Sequence, residues 1–153
     1  MQNKTKITAS GIIVFRNRNN NPEMLGLIAL PKHRKRSKGR YDVPKGRIDE
    51  GETAIQAAFR ECWEESGLEP RLIKKEPIIK GPLALWIGEV SQDDIVELSE
   101  NPYSKELEHE GHEWLTIKEM KVNCLNYLRY FIIASEGIIW DHLNLWRNND
   151  NNR

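Results

Sequence analysis

The chain predicts an α/β sandwich, of the α+β or α/β kind, on three observations. Two strand-like runs open it, an amphipathic helix follows, and two more strand-like runs precede a helical C-terminal region. The 153 residues suit one domain over 1–153, with a core at about 7–147 and a polar tail at 148–153.

Ile7–Phe15 and Leu25–Leu30 read as strands, separated by a hairpin loop at Asn19–Asn21 with Pro22 after it. Lys32–Arg40 is a basic loop and Tyr41–Ile48 a turn region holding Pro44 and Gly46. Thr53–Ser66 reads as a helix: Thr53 is a suitable N-cap, and Gln56 three residues on completes a capping box. Gly67 fits the position after its end, and Pro70 stops continuation. Ile55, Ala58, Phe59 and Cys62 make its apolar stripe. Leu72–Ile79 and Leu83–Val90 read as strands joined at Gly81–Pro82, and Ser91–Lys105 as a surface loop. His112–Leu115 is a candidate short strand. Asn126–Ser135 and Ile138–Trp146 read as two helical segments, with Trp140 and Trp146 packing the last helix or a dimer contact.

Charge names no partner: Lys plus Arg and Asp plus Glu number 23 each. Residues Met1–Lys6 lack the apolar region of a secretory signal, and no run approaches the ~18 apolar residues of a membrane span. Two cysteines, Cys62 and Cys124, form no zinc or disulfide framework. These features point to the cytoplasm or another reducing compartment, away from membranes; a monomer or homodimer is expected.

On the helix Thr53–Ser66, Glu61, Glu64 and Glu65 stand at i, i+3 and i+4, so their side chains converge. Converging carboxylates repel one another. Hard divalent cations want such clustered oxygen ligands, although a solvated acidic face gives the same local pattern. The surrounding residues decide between these. Gly46 is followed after five residues by Glu52, and after seven more by Arg60-Glu61-Cys62-Trp63-Glu64-Glu65-Ser66-Gly67-Leu68. This resembles the Nudix box, GX5EX7REUXEEXGU, with U a bulky aliphatic residue. All seven fixed Gly, Glu and Arg positions match, Leu68 satisfies the last U, and Cys62 departs from the first.

The resemblance implies the Nudix fold, an α/β/α sandwich with a mixed β-sheet between helices. It implies a Mg²⁺-dependent hydrolase, with Mn²⁺ as a substitute, acting on diphosphate linkages attached to a nucleoside. Glu61, Glu64 and Glu65 would be the metal ligands, with the Gly46 carbonyl completing the shell. Glu52 and Arg60 would form an ion pair that orients them. Glu108 is the candidate general base and a further metal-facing carboxylate. It lies in Glu108-His109 followed after four residues by Trp114-Leu115, which looks like a segment of the diadenosine tetraphosphate hydrolase branch. Ser10–Arg16 and Val43-Pro44-Lys45-Gly46 resemble the same branch, so the likeness covers roughly residues 8–135.

The substrate follows less directly. Lys45 is placed to meet a phosphate as a point charge. Lys32, Arg34, Lys35, Arg36, Lys38 and Arg40 put six cations into nine residues, suited to a long polyphosphate or an RNA backbone. His109 is a proton shuttle or a loop-ordering residue. Tyr41, Trp86, Tyr103 and His112 are the candidate base-stacking rings. The leading substrate is a dinucleoside polyphosphate such as diadenosine tetraphosphate. The alternatives are removal of 5′ phosphates or caps from RNA, a non-catalytic nucleotide-binding regulator, and, lowest, an isoprenoid diphosphate isomerase, for which no Cys and Glu pair suggests itself.

Overall fold

A computed structural model describes residues 6–34, 39–99 and 107–144. The hairpin forms from β1 (Ala9–Arg18) and β2 (Asn21–Ala29), with Arg18 opposite Asn21. Asn19 and Asn20 carry φ of 51° and 65°, so both turn residues sit in the left-handed region that a two-residue hairpin demands and asparagine tolerates. The strands therefore run up to the turn. That shifts them from the expected Ile7–Phe15 and Leu25–Leu30, which stopped at the last apolar residue.

Pro31–Arg34 forms a single helical turn, α1, where the sequence suggested loop; proline at a first helical position has its φ already set. The turn region holds two short strands, β3 (Tyr41–Asp42) against β2 and β4 (Lys45–Arg47) against β1. Helix α2 (Ala54–Ser66) carries the expected capping box, Thr53 with Gln56, and ends at Gly67 with φ 71°. Its buried face is Ala57, Ala58, Cys62, Glu65 and Ser66, whereas Ile55 is 38% exposed. The stripe sits further round than the apolar pattern suggested because the helix presents its small residues to β1 and β4.

The expected strand Leu72–Ile79 is two, β5 (Arg71–Leu72) and β6 (Ile78–Lys80), both antiparallel to β7 (Leu83–Val90). Pro77, which has no N–H to give a ladder, lies in the break. The short strand His112–Leu115 extends to β8 (His109–Thr116), antiparallel to β2. Its register slips between Ile28 and Ala29: Gly111 faces Ile28, His109 faces Ala29, and Glu110 is the extra residue of a bulge. Helix α3 (Ile117–Asn123) follows, then a 3₁₀ turn (Asn126–Leu128) and α4 (Arg129–Leu143). The two segments expected at Asn126–Ser135 and Ile138–Trp146 are one helix up to Leu143. It runs through Gly137 because Ile132, Ile139 and Trp140 on either side are anchored in the core. Tyr103, Trp146 and the tail 148–153 lie outside the described residues.

Strand order is β3-β2-β1-β7-β5, with β8 also on β2, β4 on β1 and β6 on β7. The β1–β7 pair is parallel and the others antiparallel, so the sheet is mixed. Strand alternation divides the core in two. Ile13, Phe15, Leu85 and Ile87 face α3 and α4, packing on Met120, Phe131, Ile132 and Ile139. Ile12, Val14, Leu25, Leu27, Ala84 and Trp86 face α2, packing on Ala58, Cys62 and Leu68. Among the described residues no helix is long and apolar enough to cross a membrane.

Candidate functional site

Helix α2 carries its carboxylates past β4, and the two elements pack closely where Glu61 meets Gly46. The Glu61 carboxylate lies directly against Gly46, where any Cβ would collide with it. A residue with no side chain is therefore what lets Glu61 reach the sheet. Arg60 ties the acids together. It grips Glu52 bidentately, Nε to Oε2 at 2.8 Å and Nη2 to Oε1 at 3.0 Å. Nη2 also donates to the Arg47 carbonyl at 3.0 Å, which fastens α2 to β4. Nη1 donates to Glu61 at 3.0 Å and Glu64 at 3.2 Å. The hydrogen bond from Arg60 holds Glu52 below the usual carboxylate range.

Glu64 and Glu65 behave in the opposite way. Burial, and then the charge of Glu61, pushes the Glu64 carboxyl up. Glu65 is 8% exposed, and burial followed by its contact with Glu61 pushes it well up. Among the described residues no three His, Cys, Asp or Glu side chains are already arranged as a metal cage. Arg60 serves Glu61 and Glu64 as their cation instead. The donor chemistry nevertheless fits a hard dication: the donors are carboxylate oxygens, and two are held toward protonation by burial and mutual repulsion that a dication relieves.

A second wall faces these acids. The His109 ring, 7% exposed, spans from Glu65 to Asp42, with Nδ1 3.7 Å from Glu65 Oε1 and Nε2 3.6 Å from Asp42 Oδ2. Asp42 Oδ2 also takes Lys45 Nζ at 3.3 Å. Its Oδ1 accepts from the Val43 N–H at 2.8 Å and from the Tyr127 hydroxyl at 2.7 Å. Burial alone would raise Asp42; Lys45, then His109 and Tyr127, outweigh it and hold the carboxyl at about 2. Burial, and then the Asp42 charge, pushes the Tyr127 phenol up, so it stays a donor. Lys45 Nζ stands 5.2 Å from the Tyr127 ring centroid.

The remaining sequence-predicted residues scatter. Glu108 is exposed at a bend immediately before β8, next in the chain to His109. His109 itself is a buried strand residue, which corrects its placement in a loop. Tyr41 is 7% exposed in the core, its hydroxyl donating to Glu113 at 2.8 Å, so its ring is not available to a base. It is buried because it pairs with Ile28 and its ring fills the space over Gly26. Trp86 is equally buried, with Nε1 donating to the Lys75 carbonyl at 3.1 Å. His112 is exposed on β8 opposite Leu27. Lys32 is exposed on α1, and Arg40 is exposed with its guanidinium 5.9 Å from the Tyr41 ring. The side chains of Arg34, Lys35, Arg36 and Lys38 lie outside the described residues. Asp42 and Tyr127 were not singled out by sequence, although they join the two ends of this wall.

The family model for the NUDIX domain matches residues 5–131. The chain belongs to the Nudix family. Its Nudix box is the segment Gly46–Leu68 just described. An RNA pyrophosphohydrolase of Psychrobacter sp. is 53% identical over 34 residues, 22% of this chain and 20% of that protein. Another, of Pseudoalteromonas atlantica, is 31% identical over 86 residues, 47% of this chain and 49% of that protein. The chain thus spans about half or less of the length of these relatives. Among solved structures, a binary complex of the C. elegans Ap4A hydrolase superposes with a TM-score of 0.65 at 22% identity, covering 87% of this chain and 97% of that one. The likeness shows that the mixed sheet between α2 and the α3–α4 pair is the Nudix fold.

Proposed function

We propose that this Nudix protein hydrolyses pyrophosphate linkages of nucleotides with Mg²⁺, or Mn²⁺ in its place, and that its substrate is a dinucleoside polyphosphate such as diadenosine tetraphosphate. One observation carries the reading: the Glu61 carboxylate seated against Gly46, with Glu64 and Glu65 beside it and Arg60 locked to Glu52 behind. Glu61, Glu64 and Glu65 would hold the metal, with the Gly46 carbonyl, and Glu108 would flank them. Arg60 neutralises Glu61 and Glu64, a role that a dication would take over, while the Glu52–Arg60 pair keeps the carboxylates pointed at the site. The bound dication supplies charge neutralisation on the phosphoryl oxygens and on the leaving phosphate. Glu108 accepts a proton from the attacking water, whose oxygen bonds to phosphorus as the bridging P–O bond breaks. Lys45 contacts a phosphate oxygen, and the basic segment Lys32–Arg40, with Arg34 and Arg36, attracts the rest of the chain of phosphates. His109 orders the wall against which the substrate lies.

Support for the dinucleotide comes from the Pro44-Lys45-Gly46 turn, the Glu108-His109 segment before Trp114-Leu115, and the fold shared with the Ap4A hydrolase. A second reading, hydrolysis at RNA 5′ ends, is favoured by the names of the curated relatives and by the same basic segment. One panel separates them: diadenosine tetraphosphate, nucleoside triphosphates, ADP-ribose and 5′-triphosphorylated RNA, each with Mg²⁺ in isotope-labelled water. Asymmetric cleavage of the dinucleotide to a nucleoside triphosphate and a monophosphate is expected to be fastest. Faster release of pyrophosphate from RNA assigns the enzyme to RNA. Turnover of nothing in the panel sinks both readings.

A further inference from the structure

Asp42 is buried, negatively charged and absent from the Nudix box, and nothing in the proposed hydrolysis requires it to touch substrate. Its carboxylate instead collects groups from three parts of the fold: Lys45 from β4, Tyr127 from the 3₁₀ turn, and His109 from the start of β8. We infer that Asp42 is a positioning residue that fixes Lys45, and through Tyr127 the α3–α4 connection, as the phosphate-facing wall opposite the Nudix carboxylates.

A lysine has four rotatable bonds and a compact charge, so left alone it samples many positions and pays entropy on meeting a phosphate. Here the ammonium is held at both ends of its reach. Asp42 Oδ2 lies 3.3 Å from Nζ, and the Tyr127 ring lies under the same nitrogen at 5.2 Å. The side chain remains 24% exposed, so the ammonium is held without being sealed off. Tyr127 is in turn fixed by its hydroxyl on the other carboxylate oxygen. The backbone supports this arrangement. Asp42 Oδ1 accepts its own neighbour's N–H, from Val43, so the carboxylate cannot rotate without losing a hydrogen bond. The tether also reaches across the fold, because Arg40 N–H donates to the Asn123 carbonyl at 2.7 Å and Leu125 N–H to the Tyr41 carbonyl at 2.9 Å. The strand that carries Asp42 and the turn that carries Tyr127 are thereby one rigid piece. Asp42 thus spends part of the Lys45 charge to gain a fixed position for the rest.

This rests on the reading of Lys45 as a phosphate contact, and it is tested without turnover. Inorganic tripolyphosphate is titrated into the whole protein by calorimetry in the absence of divalent metal, with circular dichroism confirming the fold of each variant. Asp42→Asn keeps the shape and the Tyr127 and Val43 partners. It is expected to raise the Kd about tenfold, as for loss of one charge-assisted contact. Lys45→Met is expected to do the same, and the double variant no more than either alone, since the two act through one contact. Should Asp42→Asn not fold, Tyr127→Phe carries the test: it deletes only the phenol hydrogen bond to the carboxylate, keeps the ring beside Lys45, and is expected to raise the same Kd about threefold. Binding by Asp42→Asn as tight as wild type, additive losses in the double variant, an unchanged Kd in Tyr127→Phe, or no binding by wild type each overturn the inference. The expected binding pattern in a protein that hydrolyses nothing in the substrate panel would leave the positioning role standing and remove the proposed reaction.

Discussion

A carboxylate taken out of water is stable only if its oxygens are occupied, and Asp42 shows how far such occupation moves a titration. Its pKa in the folded chain, about 2, lies below the ordinary 3.8. The stabilisation is therefore complete above about pH 3.8 and is lost as pH falls through about 2. The shift corresponds to about 2 kcal/mol at neutral pH. Urea unfolding of wild type and Asp42→Asn between pH 2 and 5 should give a stability difference that shrinks toward the acid end. A difference independent of pH would contradict it. Glu64→Gln should fold at least as well as wild type without metal, because it removes a charge that burial and Glu61 disfavour. Its kcat at saturating Mg²⁺ should fall by about two orders of magnitude, and near-normal turnover would remove Glu64 from the ligand set. The cluster of Glu61, Glu64 and Glu65 was legible because an α-helix fixes which residues meet, and the pairing of Glu52 with Arg60 because their spacing resembles the Nudix box. Asp42 and Tyr127 were not, because they lie 85 positions apart in sequence and meet only through the sheet.

Among the elements, α2 shows the closest agreement between sequence and structure. Its N-terminal box, Thr53 with Gln56, and its left-handed Gly67 are local chemistry that needs no tertiary partner. Helix α3 carries the same kind of signal, Thr116 with Glu119, and could have been found by it. The break expected in α4 falls at Glu136-Gly137, where glycine costs a helix about 1 kcal/mol that the core packing on either side outweighs. Strand β4 matters for what it omits. In Gly46→Ala the new methyl meets the end of a flexible glutamate, so stability should drop by about 1 kcal/mol or less. Glu61 would have to swing away, so kcat should fall at least tenfold with Mg²⁺ saturating, as for a displaced metal ligand. Thermal melts alongside kinetics check the contrast, and parallel losses in both would mean that Gly46 serves the fold alone.

At the scale of the molecule, equal numbers of acidic and basic residues conceal two local concentrations. Three acids of α2 sit in the candidate site, while six of the 23 cations fall in the segment Lys32–Arg40 that joins β2 to β3. A polyphosphate bridge carries several negative charges, so its affinity should depend on that segment more than the affinity of a two-phosphate substrate does. Neutralising Arg34, Lys35 and Arg36 together should raise KM for diadenosine tetraphosphate several-fold more than KM for ADP-ribose. The gap should narrow as salt rises, because exposed charges are screened over about 8 Å at physiological ionic strength. Equal changes for both substrates at every salt concentration would mean that the segment does not select for chain length.

The bulge at Glu110 makes the inner wall of the site a question of phase. Side chains alternate along β8, and a slip of one position exchanges the inward and outward sets. From Gly111 to Thr116 the strand is locked to β2 residue by residue. Upstream of Gly111 the bulge absorbs one residue, and the side chain that meets Glu65 is His109. Inserting a single residue between Glu110 and Gly111 would bring Glu110 to the place where His109 stands, exchanging that imidazole for a carboxylate while leaving the locked part of the sheet untouched. In this fold a length change at one strand end can do what elsewhere takes a point substitution: it can alter the charge presented to the ligand.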